Sequence, residues 1–315
     1  MPVPENVLFA LAAAASWGGG DFSGGMGVKA AGSSPTGALR LVIIAHAVSL
    51  TVLTLLCIVT GVAWPHGAAM VWSIAAGVAA GFSLTAFYIA LARGAMGVSA
   101  AVSGVLAATI PAIVSICMEG APGAVRLAGF GVALVAIWMI AAGDSPENAD
   151  ARYEIRDARV GPIPASNLKF RISNLALAII GGLGFGFYFT ALRMSNGLGV
   201  MEPIALARAA SLVTCLVLLA VVSWRRKSAA ANQPGPWLTR AAIGWAMGVA
   251  LLDTGGNLLL VAATRTGRLD VAAVLASLYP AATILLAAWR LHEHPTKRQL
   301  AGMVAALAAV VMITL

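Results

Sequence analysis

Charge is scarce in this chain: 10% of its 315 residues are Asp, Glu, Lys or Arg, against 60% that are hydrophobic. A soluble domain carries about 25% charged residues, so a water-soluble fold could not hide this much apolar side chain. Cysteine is rarer still. Cys57, Cys117 and Cys215 fall inside apolar stretches without CxxC or Cys/His spacing, which argues against a disulfide framework or a zinc site and leaves them as small core residues. Walker A and Rossmann glycine patterns are missing, and with them a nucleotide site for ATP-driven pumping. Two fragments look superficially like enzyme motifs. His292-Glu293-His294 is not HExxH, because its histidines are two apart and face different sides of a helix; Gly20-Asp21-Phe22-Ser23-Gly24 has no His placed to pair with its serine. The sequence calls for no cofactor and no metal.

What is present is apolar and periodic. A helix needs about 20 apolar residues to cross a bilayer, and such runs follow one another near 6 to 28, 38 to 60, 69 to 92, 96 to 118 and 125 to 143. A polar stretch rich in charge, Pro and Asn follows, from Asp144 to Arg171, and reads as a loop. Five more runs lie near 172 to 192, 201 to 223, 238 to 263, 269 to 289 and 298 to 314.

The two sets repeat each other. Pro35 and Arg40 of PTGALR match Pro203 and Arg208 of PIALAR at an offset of 168; the AAV at 100 to 102 matches that at 272 to 274; LAG at 127 matches LAG at 300. Glycines answer one another too, Gly20 and Gly24 with Gly182 and Gly186, and Gly77 and Gly81 with Gly244 and Gly248, in spacing suited to close helix contact. An odd number of spans per unit turns the second copy over. The fold expected is therefore an all-α integral membrane protein, ten transmembrane helices arranged as two inverted five-helix repeats. Residues 1–143 form the first, 144–171 the linker and 172–315 the second.

The net charge of +8 would suggest nucleic acid in a soluble protein, but here the basic residues sit in gaps between spans and speak for membrane orientation, with no nucleic-acid partner. The loops after the odd-numbered spans hold 14 Lys and Arg, the opposite side four (Arg126, Arg193, Arg265, Arg268). Both termini are then expected outside the cytoplasm. The first span has an acidic lead-in (Glu5) and no clear cleavage site, and is read as retained.

The chain resembles the drug/metabolite transporter superfamily, in particular carriers built of two EamA domains. The resemblance rests on several motifs: WGGGDF at Trp17 to Phe22 with Lys29 beyond it; Ser34, Pro35 and Arg40; ALARG at Ala90 to Gly94 followed by a small-residue span with Pro111; SLYP at Ser277 to Pro280; and HEHPTKRQLAG at His292 to Gly302. It implies a ten-helix carrier working by alternating access, commonly an exporter of amino acids, metabolites or drugs. Glu119-Gly-Ala-Pro departs from the fuller motif around Glu293, the amino terminus lacks basic residues, and Asp21 adds an acid to the first span. The function expected is a secondary active exporter of a small organic solute, with proton coupling, in a bacterial inner membrane, as a monomer or homodimer. An uptake permease of the same fold and an intramembrane enzyme acting on lipid or peptide are the alternatives.

A charged group in mid-membrane costs about 2.5 to 3.5 kcal/mol on insertion scales. Asp21 and Asp253 both lie within about 6 Å of the middle of a span, and Asn257 is one turn from Asp253 on the same face. They are candidates to bind an amino group or a proton; the other reading is a satisfied structural acid, for Asp21 against an unwound Gly-rich backbone. His46 is a candidate proton relay, though a neutral imidazole bonded to a neighbouring helix is the ordinary case. Arg40 and Arg208 read as snorkelling or structural ion pairs rather than anion ligands, and Glu119 and Glu293 as helix-end residues. Trp17, Tyr88, Ser103, Tyr188, Trp245 and Tyr279 are candidates to shape the solute cavity, with Trp72, Ser99 and Ser277 behind them; packing is the other role open to each. Tyr279 precedes Pro280, which frees a backbone carbonyl in mid-membrane.

Overall fold

The computed structural model describes residues 4–92, 96–141, 165–195, 199–227, 238–291 and 296–314. Arg93, Gly94, most of the polar linker and the His292, Glu293 and His294 motif lie outside the described residues. Within them the chain is all-helical. The helices are α1 (Glu5–Ala30), α2 (Pro35–Thr60), α3 (Gly67–Ala92), α4 (Met96–Glu119), α5 (Ala124–Ala141), α6 (Ala165–Met194), α7 (Met201–Lys227), α8 (Arg240–Thr266), α9 (Leu269–Ala276), α10 (Tyr279–Leu291) and α11 (Lys297–Thr314). Seven segments among the described residues are long and apolar enough to cross a membrane, so this is a multi-pass membrane protein.

Local chemistry sets the ends. Ser34 caps α2 by accepting from Gly37 N at 3.0 Å with Pro35 at the first helical position, and Gly61 ends it in the left-handed conformation at φ 64°. Thr239 caps α8 by accepting from Ala242 N at 3.1 Å and donates to Ala30 O at 3.2 Å, which ties the end of α1 to the start of α8. The start of α6 differs from expectation: composition predicts a loop to Arg171, yet the helix begins at Ala165. Leu168, Ile172 and Leu175 follow helical spacing, which carries the helix back beyond the strictly apolar run.

Packing repeats between the halves. The packing of α1 on α8 and on α9 and α10 is answered by that of α6 on α3 and α4, while α2 packs on α7 and α5 on α11. Arg126 at the start of α5 donates to Ile313 O near the end of α11 at 3.1 Å, so those two helices run antiparallel.

Small residues make these crossings possible. A Cβ on Gly77 would lie 2.2 Å from Ala207 O, one on Gly182 2.8 Å from Leu106 Cβ, and one on Gly24 2.3 Å from the Tyr88 ring. Gly244 meets nothing within 4 Å. The expectation that glycine would unwind the first span does not hold: α1 is one continuous helix. Its glycines are spent on contact, as at Gly18, where a Cβ would fall 2.4 Å from Ala282 Cβ and 2.7 Å from Tyr279 O. Gly77→Ala is accordingly expected to destabilise the protein by about 1–3 kcal/mol, since a backbone carbonyl cannot step aside. Gly131→Ala, with nothing within 4 Å, should be neutral or gain about 1 kcal/mol from helix propensity. Melting of the two variants in detergent, side by side, checks the contrast.

Candidate functional site

The crossing of α1 and α8 is close enough that a Cβ on Gly20 would sit 3.5 Å from Asp253 N. That approach brings the two mid-membrane acids to one cavity. Asp253 and Asn257, one helical turn apart, form a unit: Asn257 Nδ2 donates to Asp253 O at 2.6 Å and to Asp253 Oδ1 at 3.0 Å. Tyr188 on α6 donates its hydroxyl to Asn257 Oδ1 at 2.8 Å, which joins the two helices.

The other carboxylate oxygen of Asp253 accepts from Arg208 NH2 at 2.5 Å. Arg208 is two turns into α7 and only 2% exposed. Each of its nitrogens is engaged: Nε donates to Ser49 Oγ at 3.2 Å and NH1 to His46 Nε2 at 2.9 Å. A guanidinium only donates, so His46 Nε2 must accept. The imidazole is therefore neutral, with its proton on Nδ1 facing Ser211 Oγ at 2.8 Å. Ser49 in turn bonds Thr254 at 2.6 Å. The network crosses α2, α6, α7 and α8 and leaves Arg208 and Asp253 neutral as a pair.

Asp21 stands apart from it. It is 9% exposed and has no hydrogen-bond or ion-pair partner among the described residues. The cavity it faces holds about 440 Å³ of space between atoms, its open mouth included, a size that suits a small solute. Charged groups on its wall are Asp21, Arg208 and Asp253. With the last two paired, an ionised Asp21 gives it one net negative charge. The rest is mostly aromatic. Trp17 stacks on Phe189 at 4.9 Å with planes 7° apart, Phe185 lies one turn before, and Tyr188 and Tyr279 complete the lining together with Asn257 and two aliphatic residues of α3.

Six of the residues singled out from the sequence thus meet here: Trp17, Asp21, Tyr188, Asp253, Asn257 and Tyr279. His46 lies behind Arg208, Tyr88 is buried against Gly24, and Ser103 is buried where α4 meets α6. Trp245 is elsewhere: eight residues before Asp253, about 12 Å along the helix, edge-on to Phe22 at 6.0 Å. Arg208, at the centre, was read as a structural pair and not as cavity wall; the unmatched Asp253 was the signal that a counter-charge was needed. Phe185 and Phe189 escaped notice, although with Tyr188 their spacing puts them on one face of α6.

A second charged cluster lies at one end of the bundle. Arg268 donates twice to Asp270, at 2.8 and 3.1 Å, and to the carbonyls of Glu119 and Gly120 at 3.3 and 2.7 Å, with Arg193 NH2 3.8 Å from Glu119. Glu119 therefore acts as a helix-end ion-pair residue. Its partners are about a third exposed or less, and each pair is worth about 1 kcal/mol or less.

Comparison with known proteins agrees with this architecture. No curated protein sequence matches the chain. A solved structure titled only "Crystal structure of protein" superposes with a TM-score of 0.67 over 100% of this chain and 99% of its own, at 16% identity, a likeness of fold. Residues 172–315, the half of the chain that supplies Arg208, Asp253 and Asn257, match the model of the EamA-like transporter family.

Proposed function

We propose that the chain is a secondary active carrier that exports a small organic cation in exchange for protons, with ten spans as two inverted five-helix repeats. In this reading α9 and α10 together make one span, and the antiparallel course of α5 and its counterpart α11 supports the inversion. The observation that carries the proposal is the carboxylate of Asp21 in an aromatic cavity where the other charged residues among those described, Arg208 and Asp253, neutralise each other. An ammonium group is attracted both by a carboxylate and by aromatic faces, the latter worth about 0.5 to 2 kcal/mol. One carboxylate holds either a proton or an ammonium group, so competition for Asp21 couples the two fluxes. Arg208 spends each of its three nitrogens on a protein partner and its charge is balanced by Asp253, so it presents an anion no uncompensated positive charge.

Export follows from the family resemblance, and the Lys and Arg count supports both termini lying outside the cytoplasm. An intramembrane hydrolase would need Asp21 and Asp253 to share a reacting group, but Asp253 is committed to Arg208 and Asn257. Purified protein in liposomes tests the reading. With the interior acidic, small amines are expected to accumulate and to dissipate the pH difference faster than in protein-free liposomes, where only the neutral base diffuses, while organic anions do not move. Anion flux, or amine flux indifferent to the pH gradient, would overturn it.

A further inference from the structure

Three hydroxyls in the middle of the bundle have no hydrogen-bond partner of good geometry among the described residues: those of Ser103 on α4, Ser277 between α9 and α10, and Tyr279 at the start of α10. Ser103 and Ser277 are 0% exposed and Tyr279 3%. They are neighbours. Gly104, beside Ser103 in α4, packs on this segment, and a Cβ on it would lie 3.5 Å from Ser277 O and 3.6 Å from Pro280 Cγ.

The helix break adds acceptors to the same place. Pro280 has no N–H to offer Ala276 O, and Ala281 N donates to Leu278 O at 3.0 Å, which leaves the Ser277 carbonyl without its usual donor. A buried polar group without a partner costs about 1–3 kcal/mol. Hydroxyls and carbonyls gathered at a break in mid-membrane are therefore the makings of a ligand subsite. Tyr279 connects them to the cavity, whose wall it shares with Asp21.

We infer that the solute has two polar ends: an ammonium group held at Asp21, and an uncharged hydroxyl or carboxamide received by Tyr279 and Ser103 beside the α9–α10 break. The inference rests on the cation-carrier reading above. The second group is uncharged because no charged side chain stands among the described residues of the cluster, which offers hydroxyls and peptide carbonyls beside the single Tyr279 N–H. Carbonyl oxygens only accept, so they repel a carboxylate, whereas a hydroxyl or amide donates as well as accepts. An apolar end would leave the cluster unmatched.

Calorimetry on the detergent-purified full chain with butan-1-amine and 3-aminopropan-1-ol, two amines of equal heavy-atom count, tests this. Wild type is expected to favour the amino alcohol about tenfold, the worth of one well-made hydrogen bond. Tyr279→Phe and Ser103→Ala should each collapse that ratio towards one; if one variant does not fold, the other carries the same readout. Asp21→Asn should weaken both amines together and leave the ratio. Equal binding of the two amines by wild type, or a ratio untouched by Tyr279→Phe and Ser103→Ala, overturns the inference and leaves the cation carrier standing. Binding of neither amine overturns both.

Discussion

Replacing Arg208 by leucine is expected to lower stability by about 3–5 kcal/mol, and adding Asp253→Leu should restore most of the loss. The reason is the burial of both partners, with side chains 3% and 15% exposed. Their mutual attraction offsets the cost of taking each out of water; removing one leaves the other charged and unpaired in a low-dielectric interior. Replacing both by apolar side chains removes attraction and penalty together, which is why such double replacements are often close to neutral. Recovery stays incomplete here, because His46 Nε2 and Ser49 also lose the donor that Arg208 supplies. Thermal melts of the two single variants and the double variant in one detergent give the coupling directly. Strictly additive losses would mean that the pair does not join α7 to α8.

Asp21→Asn is expected to do the opposite: to abolish pH-driven amine flux to the level of empty liposomes while leaving the melting temperature unchanged or raised. Burying a carboxylate without a partner costs free energy, and an amide of the same shape costs less. Its loss of function comes from the chemistry it can no longer perform, since an amide takes up no proton and attracts no ammonium group. Asp253→Asn should instead lose stability, because it unpairs Arg208. Two aspartates in one cavity therefore give opposite signs in a melt, which separates a binding acid from a structural one. Retained pH-driven flux in Asp21→Asn would remove Asp21 from the binding role.

Much of the helical layout was legible in the chain. Runs of apolar residues in a sequence this poor in charge mark spans whatever their neighbours, and Gly, Pro and polar punctuation mark their ends; hence α2 from Pro35 and α11 from Lys297 fall within a few residues of expectation. The ninth span was read as one helix, and the break at Ser277 and Leu278 was hidden because Pro280 signals a lost hydrogen bond without saying whether the helix bends or stops. Asp21, Asp253 and Asn257 were visible because polarity in mid-span is costly and so stands out. Trp245 stands out as an aromatic residue within a span and lies elsewhere, since residue type and depth say nothing of azimuth around a helix.

The sequence by itself determined that the chain lives in a membrane, that its halves repeat, and which few acids needed an explanation, because hydropathy, periodicity and the cost of mid-membrane charge are all properties of single segments. Only the tertiary structure decided which acid is paired and which has no partner among the described residues. Arg208 is 45 residues from Asp253 in sequence and His46 162 from Arg208, and Trp17 meets Phe189 from the other half of the molecule. Glycine carried the same ambiguity: in α1 it could have unwound the helix or brought helices together, and which of the two occurs depends on whether a neighbouring backbone comes close enough to use the missing side chain.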